Sequence, residues 1–309
     1  MSLGKSIRIY LKDGNVSGIK LAEVVNHTIH AISCPRSMLA EINQFFSKEV
    51  NKPGVYFLIG EDDSDEYNKP IVYIGESENI WLRIGQQDTF KEFWNEVIFF
   101  TSKDDNLTKS HVKYLESKLI KISDESKRYK LVNGIVPNLN SLPLPDRDAM
   151  DDFIIYIKLL NGTLGHKFLE PTIPKVFNSE NTDSFLLNTQ INASSSIDLE
   201  LNIKGINAKA IMTDEGIVVL KDSEAFNGQL KSYGYSTLRE KLVSDKLLIS
   251  SQNGKLIFRE DYLFKSPSAA AAVIMGYSIN GRDWWKDKNG RSINEIEKIK
   301  VGFSTENKV

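Results

Sequence analysis

The chain has 309 residues, of which 41% are hydrophobic, so it can bury a substantial core and is long enough for two domains. Its single cysteine, Cys34, excludes an intramolecular disulfide and fits a reducing cytoplasm, and no apolar run approaches the roughly 18 residues of a membrane span. The formal net charge of −2 excludes a uniformly basic protein that binds nucleic acid phosphates non-specifically.

The first 50 residues predict short strands and a helix that pack on the domain after them. Strands are expected at Ile7–Leu11, 18–25 and 28–32, each bounded by turn residues. A helix is expected over 37–46, where apolar residues recur at helical spacing.

Residues 51–165 predict a domain in which a hairpin precedes several helices. Strands at 55–59 and 71–74 flank a long polar loop, and a further strand is expected at 97–101. Ser77 is the predicted N-cap of a helix over 78–87. Thr108 opens the strongest helix signal, which runs to about Ser123, and another helix is expected over 151–160.

Residues 166–200 are polar and lack a steady period, which predicts an interdomain linker, and 201–309 then form a second, smaller α+β domain. That domain carries 17 Lys and Arg against 13 Asp and Glu, whereas residues 1–200 carry 22 against 28. The C-terminal part is therefore the better candidate for holding nucleic acid. Its predicted elements are a hairpin at 208–213 and 217–221, helices at 236–244 and 266–275, and an extended segment at 255–258.

Glu116 lies on the apolar face of its predicted helix. The residues one turn away and next to it on that face are Val112, Leu115, Leu119 and Ile120. Burying an unpaired carboxylate costs roughly several kcal/mol, so the Glu116 carboxylate needs a partner. A salt bridge would satisfy it, and so would a hard divalent cation.

Three further residues could have either a structural or a catalytic role: Arg83, Tyr56 and Tyr73. Arg83 follows Ile80 by three residues, which turns it towards the protein, where it can cover apolar surface or present its planar fork to a phosphate. Tyrosines in strands are ordinary core residues, but Gly54 and Gly75, each two residues from a tyrosine, permit close approach of a ligand or another chain segment.

The stretch from residue 50 to 140 resembles the GIY-YIG nuclease superfamily. The motifs that carry the resemblance, in order, are Gly54-Val55-Tyr56, Tyr73-Ile74-Gly75, Arg83, Tyr114-Leu115-Glu116 and Asn133. The resemblance implies an α+β fold with a small three-stranded antiparallel sheet and flanking helices. It also implies an endonuclease that hydrolyses DNA phosphodiester bonds with one divalent metal, Mg²⁺ or Mn²⁺.

By the same resemblance, Tyr56 is the base that activates water or relays its proton, and Tyr73 positions the nucleophile or the phosphate. Arg83 stabilises the charged transition state, Glu116 holds the metal, and Asn133 supports the site. Asn138 competes with Asn133 for the last role, although the sequence before Asn133 fits the family better.

Two positions depart from the family pattern. Many relatives have lysine where this chain has Glu76, and some have histidine where it has Gln87. Two hypotheses therefore stand. The first is a cytoplasmic endonuclease acting on DNA, including branched or damaged DNA. The second is a nucleic-acid-binding or regulatory module that keeps the nuclease fold with weak or no activity.

The C-terminal part resembles an uncharacterised domain that recurs behind GIY-YIG domains in bacterial proteins. The residues that carry this likeness are 217–223, 266–272 and 280–285. The alanine run within 269–272 predicts a helix packed closely on a sheet. Trp284 and Trp285, next to Arg282, could stack on bases or belong to the core.

Overall fold

The computed structural model describes residues 4–61, 70–134, 141–172, 197–228 and 234–306, with the side chains of 86–90 and 300–306 excepted. The chain forms two compact units, of which the first takes the described residues up to Pro171 and the second takes the rest. Both units combine helices with β-sheet, and the sheet of the first is the larger. The predicted α+β class is confirmed.

A seven-stranded sheet forms the centre of the first unit. Its strands are β1 (Ile7–Leu11), β2 (Lys20–Val24), β3 (Ile29–Pro35), β4 (Gly54–Glu61), β5 (Pro70–Ser77), β6 (Trp94–Ser102) and β7 (Lys130–Leu131). Their spatial order is β1-β2-β3-β6-β4-β5-β7, and only the short β5–β7 pair is parallel. The sheet is larger than the three strands that the resemblance implies. The reason is that β3 pairs with β6 over seven residue positions, which joins the N-terminal strands to β4, β5 and β6.

Helices cover both faces of this sheet. The helices are α1 (Leu39–Phe45), α2 (Ser47–Val50), α3 (Ile80–Phe90), α4 (Lys109–Ser126) and α5 (Leu144–Thr163). Apolar residues of α1, α2 and α3 pack on one face, and those of α4 and α5 pack on the other. Within the described ranges, no helix combines the length and the apolar character that crossing a bilayer requires.

The capping residues explain where α3 and α4 begin. At α4, the Thr108 hydroxyl accepts the His111 N–H at 3.4 Å, and His111 Nδ1 accepts the Thr108 N–H at 3.3 Å, so the predicted start is confirmed. At α3, the prediction that Ser77 is the N-cap is wrong. Ser77 still belongs to β5, and Asn79 Oδ1 instead accepts the Leu82 N–H at 3.1 Å in the first turn.

The two ends of the predicted linker lie within the two units. Phe168 and Leu169 are fully buried in the first unit, and Arg128 Nε donates to the carbonyl oxygen of Glu170 at 2.7 Å. Residues 197–200 belong to a strand of the second unit. The rest of the predicted linker, 173–196, lies outside the described residues, as do the loop 62–69 and Asn138.

The second unit contains two small sheets and four helices among its described residues. One sheet has the order β14-β10-β9-β8 and the other the order β11-β13-β12. The elements are β8 (Ile197–Ile203), β9 (Ile206–Thr213), β10 (Gly216–Val219), β11 (Glu224–Ala225), α6 (Ser236–Ser244), β12 (Leu248–Ser250), β13 (Leu256–Phe258), β14 (Tyr262–Phe264), α7 (Pro267–Met275), α8 (Gly281–Trp284) and α9 (Ile293–Glu306).

Helix α7 is the central helix of this unit. Ser266 is its N-cap, and the alanines of the run at 269–272 are all buried in the core, as predicted. Trp284 and Trp285 differ in their burial. Trp285 is fully buried and donates from Nε1 to the carbonyl oxygen of Pro267 at 3.1 Å, so it cannot stack on a base, whereas Trp284 is 45% exposed.

Candidate active site at the edge of strand β5

The register of β4 and β5 places Tyr56 and Tyr73 on the same face of the sheet. Tyr56 lies opposite Gly75, and Tyr73 lies opposite Leu58 on the same two strands. The centroids of the two phenol rings are 6.2 Å apart, with the ring planes tilted by 44°. Tyr56 is fully buried and Tyr73 is partly exposed. The two tyrosines of the motif therefore form one pair.

The glycines of the two motifs are required by packing. A Cβ atom at Gly75 would lie 2.5 Å from both Cζ and Oη of Tyr56, so only glycine lets this phenol lie across β5. A Cβ atom at Gly54 would lie 2.3 Å from the carbonyl oxygen of Phe100 on the neighbouring strand. Both positions require glycine because a neighbouring group packs closely against the backbone there, and not because the backbone is left-handed.

Arg83 extends from α3 towards the two tyrosines. The residue is exposed rather than protein-facing, but its guanidinium interacts with the phenols of both Tyr56 and Tyr73. The pKa of Tyr56 is raised well above its ordinary value because burial, the largest cause, outweighs the lowering effect of Arg83. The buried Tyr56 hydroxyl makes no hydrogen bond of ordinary geometry with the described residues, although Arg83 is close enough to affect its pKa.

Glu116 reaches the same strand from the opposite face of the sheet. Its neighbours Leu115 and Leu119 are fully buried against the sheet, while Glu116 itself is half-buried. Its carboxylate accepts a hydrogen bond from the backbone N–H of Glu76 in β5. Burial and the negative charge of Glu76 raise the pKa of Glu116 to about 7, and Arg83 opposes this rise.

Glu76 also belongs to the site. From the sequence alone it is only a position that departs from the family pattern. It lies opposite Val55, so its side chain is on the face that α4 covers. Burial raises its pKa, whereas the positive charges of Lys113, Lys109 and Arg83 lower it. The alternation of side chains along β5 could have predicted this position. It places Glu76 on the same face of the sheet as Ile74, and on the opposite face from Tyr73 and Gly75.

Asn133 supports the edge of β5 without reaching the ionisable groups. Its Oδ1 atom accepts the Ile74 N–H at 3.1 Å, and its Nδ2 atom donates to the Ile74 carbonyl oxygen at 2.7 Å. The Val132 N–H donates to the Val72 carbonyl oxygen at 3.1 Å just before it. The amide thus continues the β5–β7 pairing by one position and holds the strand that carries Tyr73 and Glu76.

Replacing Asn133 by alanine is expected to destabilise the first unit by about 1–2 kcal/mol, because both backbone groups of Ile74 lose their partner. Urea unfolding followed by circular dichroism measures this loss. Asn43→Ala is the matched control, since the Asn43 amide oxygen accepts a 3.3 Å bond from Asn51 at the surface. Equal stability of the two variants would show that Asn133 does not hold β5.

The charged groups around β5 influence one another across its outer edge. The charges of Tyr73, Arg83 and Glu116 all affect the pKa of Tyr56, and Arg83 affects the pKa of both glutamates. The structure therefore brings Tyr56, Tyr73, Arg83 and Glu116 to one region of the sheet edge. Asn133 binds the backbone of Ile74 on the same strand. The side chain of Gln87 lies outside the described residues. His111 takes part in the capping box at the start of α4.

The site is an open edge, since Arg83 is exposed and Tyr73 and Glu116 are partly exposed. Two cavities of the described residues lie elsewhere. One is in the first unit, beside His27, His111 and Tyr156, and the other is in the second unit, beside Met212 and Ile296. An open edge suits a large, extended ligand better than a small molecule, which needs a concave site.

The donor set at this edge fits a hard divalent cation. Glu116 and Glu76 offer carboxylate oxygens, the ligands that Mg²⁺ and Mn²⁺ prefer, and Mg²⁺ is commonly held by only one or two carboxylates. Groups of three or more His, Cys, Asp or Glu residues arranged for a metal do not occur in the described part of the chain. A cation at this site would therefore complete its coordination with water or phosphate oxygens.

The fold and the site define an α+β protein of two units, the first of which carries a cluster of ionisable side chains at a sheet edge. Residues 199–297 match the family model described as a domain of unknown function, DUF4357. This match covers most of the second unit and confirms the predicted uncharacterised C-terminal domain. No curated protein and no solved structure matches the chain.

Proposed function

We propose that the first unit is a metal-dependent endonuclease that hydrolyses DNA phosphodiester bonds in the cytoplasm. The observation that supports the proposal most is the approach of Tyr56, Tyr73, Arg83 and Glu116 to one edge of β5 from β4, β5, α3 and α4. These residues are far apart in sequence, and they are the set that the GIY-YIG resemblance implies.

Arg83 has the chemistry to engage the scissile phosphate. Its guanidinium is permanently charged and planar, so it can donate to two phosphate oxygens and stabilise negative charge that develops on them. In the free protein it interacts with the phenols of Tyr56 and Tyr73. A bound phosphate would compete for the guanidinium and so leave the phenols free to contact the nucleophile.

Tyr56 suits proton relay better than direct deprotonation of water. Because burial raises its pKa, the hydroxyl is protonated at neutral pH and begins the reaction as a hydrogen-bond donor. It can pass its proton on as it takes one from the attacking water, so that no free phenolate is needed. Tyr73, which is partly exposed, is placed to orient the water or the phosphate.

Glu116 would hold the divalent metal, Mg²⁺ or Mn²⁺. The ion, when bound, supplies a Lewis acid that polarises the phosphate and stabilises the leaving oxygen. The backbone N–H of Glu76 fixes the Glu116 carboxylate through a hydrogen bond. The chain therefore orients this ligand before any cation arrives.

Basic side chains flank the acidic centre and provide contacts for neighbouring phosphates. Lys109 and Lys113 are one helical turn apart on α4, and both act on the pKa of Glu76. Lys91 lies with its Nζ atom 4.2 Å from the centroid of the Tyr73 ring. This arrangement can attract a DNA backbone locally although the first 200 residues are acidic overall. Branched or damaged DNA, whose strands separate readily, is the substrate class that an open edge reaches best.

Incubation with supercoiled plasmid and with branched DNA tests the proposal. We expect nicking that requires Mg²⁺ or Mn²⁺ and that falls about a hundredfold in Tyr56→Phe, which removes only the relay hydroxyl. Tyr10→Phe is the matched control, because Tyr10 is an exposed tyrosine of β1. Nicking by Tyr56→Phe at the parental rate would remove the tyrosine from the mechanism.

The second candidate is a nucleic-acid-binding or regulatory module with weak or no activity. The observation that favours it is Glu76, an acidic residue of β5 at the position where many members of the resembled family have lysine, within residues 1–200 that carry more acidic than basic side chains. DNA that is bound but never cut, at any concentration of Mg²⁺ or Mn²⁺, would establish this function in place of the nuclease.

A further inference from the structure

Arg36 binds the short segment that connects α3 to β6. It follows directly on β3, the strand that pairs with β6. Its Nη1 atom donates to the carbonyl oxygens of Lys91 at 3.0 Å, Glu92 at 3.2 Å and Trp94 at 3.1 Å. Carbonyl groups in a connection between two elements need a donor from water or from another part of the chain. Here one guanidinium group supplies it and fixes the backbone between the end of α3 and the start of β6.

The same connection also packs tightly on its neighbours. The Arg36 guanidinium lies 4.4 Å from the centroid of the Trp94 ring, which is the range of a cation–π contact, and Trp94 is fully buried. Trp94 lies opposite Gly60 of β4, where even a Cβ atom would clash with the carbonyl oxygen of Phe93. The connection after α3 is therefore held by both Arg36 and β4.

Lys91 is the first residue of this connection and extends to the tyrosine pair. Its Nζ atom lies 4.2 Å from the centroid of the Tyr73 ring, and the residue is only partly exposed. No carboxylate pairs with this ammonium group in the described part of the chain. Lys12 makes a similar contact with the Phe45 ring, but two ion pairs, at 3.0 Å and 2.6 Å, neutralise it. Lys91 is thus a cation at the candidate active site that can accept an anion from outside the chain.

We infer that Arg36 is a positioning residue of this site, which fixes the connection after α3 so that Lys91 stays against Tyr73 and binds one phosphate of the DNA backbone there. The inference rests on the proposed function for the identity of the anion but not for the contact between Lys91 and Tyr73. A lysine side chain has several rotatable bonds, so anchoring its backbone and its ammonium group reduces the entropy that it loses when a phosphate binds.

NMR of the full chain with its lysines dimethylated by carbon-13 formaldehyde tests the contact without DNA or metal. Because the ammonium group lies over an aromatic ring, its ring current should shift the Lys91 signal upfield of the signals of exposed lysines. Lys91→Arg identifies the signal by removing it. In Arg36→Gln we expect the signal to move to the position of the exposed lysines, since the connection is released.

Arg8→Gln is the matched control for Arg36→Gln. Arg8 is an exposed arginine of β1 that pairs with Glu23 at 2.8 Å, so its replacement should leave the Lys91 signal unchanged. Arg36→Lys is a second variant, because it keeps the charge but lacks the planar fork that spans several carbonyl oxygens, and it should release Lys91 as well. Circular dichroism and thermal unfolding verify that the variants are folded. A Lys91 signal that is unshifted in the parent, or that stays shifted in both folded Arg36 variants, would overturn the inference.

Binding of branched DNA at several salt concentrations, with a chelator to prevent cleavage, tests the phosphate contact. Each neutralised phosphate contributes about 0.9 to the slope of log affinity against log salt concentration. We therefore expect Lys91→Met and Arg36→Gln each to reduce the slope by about one, the double variant to reduce it no further, and Arg8→Gln to keep it. A parental slope in Lys91→Met, or losses that add in the double variant, would refute the role of Arg36 as a support for Lys91.

Plasmid nicking separates this inference from the proposed function. In a parent that nicks, we expect Lys91→Met and Arg36→Gln each to lower the rate at saturating DNA about tenfold, with no further loss in the double variant. A parent that never nicks, yet shows the shifted Lys91 signal and the coupled salt slopes, would support the position of Lys91 and refute the nuclease. A parent that nicks, with full activity in Lys91→Met, would keep the nuclease and refute the inference.

Discussion

Replacement of Glu116 by glutamine is expected to reduce DNA cleavage by about a thousandfold or more while making the protein more resistant to unfolding at pH 8. The loss of activity follows because the amide keeps the shape of the side chain but removes the charge that would hold the metal and its Lewis-acid chemistry. Initial rates of plasmid nicking at several Mg²⁺ concentrations measure the loss. High Mg²⁺ should restore little of it.

The gain in stability follows from the pKa of Glu116. Burial and Glu76 raise this pKa from an ordinary value of 4.5 to about 7, so the folded state binds a proton more tightly than the unfolded state. Between these two pH values, the free energy of unfolding therefore falls as the pH rises. Above pH 7 the full cost of the charge is present, and glutamine avoids it.

Urea titrations at pH 5 and pH 8, in the presence of a chelator, measure this effect. After allowance for solvent screening of a partly exposed group, we expect Glu116→Gln to exceed the parent by about 1–2 kcal/mol at pH 8 and by a small fraction of that at pH 5. Glu92→Gln, which replaces an exposed glutamate of the first unit, should match the parent at both values. A Glu116→Gln protein that is less stable than the parent at pH 8 would contradict the assignment of a repulsive, functional carboxylate.

Local signals in the sequence were sufficient for several elements. The start of α4 could be predicted because a capping residue and an amphipathic period coincide at Thr108. The start of α3 was misplaced because Ser77 and Asn79 are both good capping residues, and only the length of β5 decides between them. The predicted linker includes the first four residues of β8 although Ile197 and Leu199 begin an alternating pattern, because the polar stretch before the strand extends up to its first residue.

The size of the sheet and the partner of Glu116 depend on tertiary structure. The pairing of β3 with β6 joins segments more than sixty residues apart, and no local pattern specifies it. The 3.6-residue period placed Glu116 on the buried side of α4, but only the packing of α4 along β5 shows that Glu76 faces it. Sequence reasoning could thus say that Glu116 needs a partner without saying which residue or ion provides it.

Replacement of Gly75 by alanine is expected to lower DNA cleavage about a hundredfold and to destabilise the first unit by about 1–3 kcal/mol. The added Cβ atom would lie 2.5 Å from Cζ and Oη of Tyr56, whose side chain is fully buried. Either the phenol or strand β5 must therefore shift. A shift of either one moves the relay hydroxyl relative to Arg83 and Glu116.

Gly85→Ala is the matched control for this substitution. Gly85 lies in α3 with no atom within 4 Å of its ideal Cβ position, so alanine there should stabilise the helix by about 0.5–1 kcal/mol and leave cleavage unchanged. A second test replaces Tyr56 by leucine, whose shorter side chain removes the clash. In the Tyr56→Leu background, Gly75→Ala should cost much less stability than in the parent, and this coupling is measurable by a double-mutant cycle. Additive effects of the two substitutions, or a Gly75→Ala protein with parental stability and cleavage, would show that the glycine does not hold Tyr56 in the catalytic position.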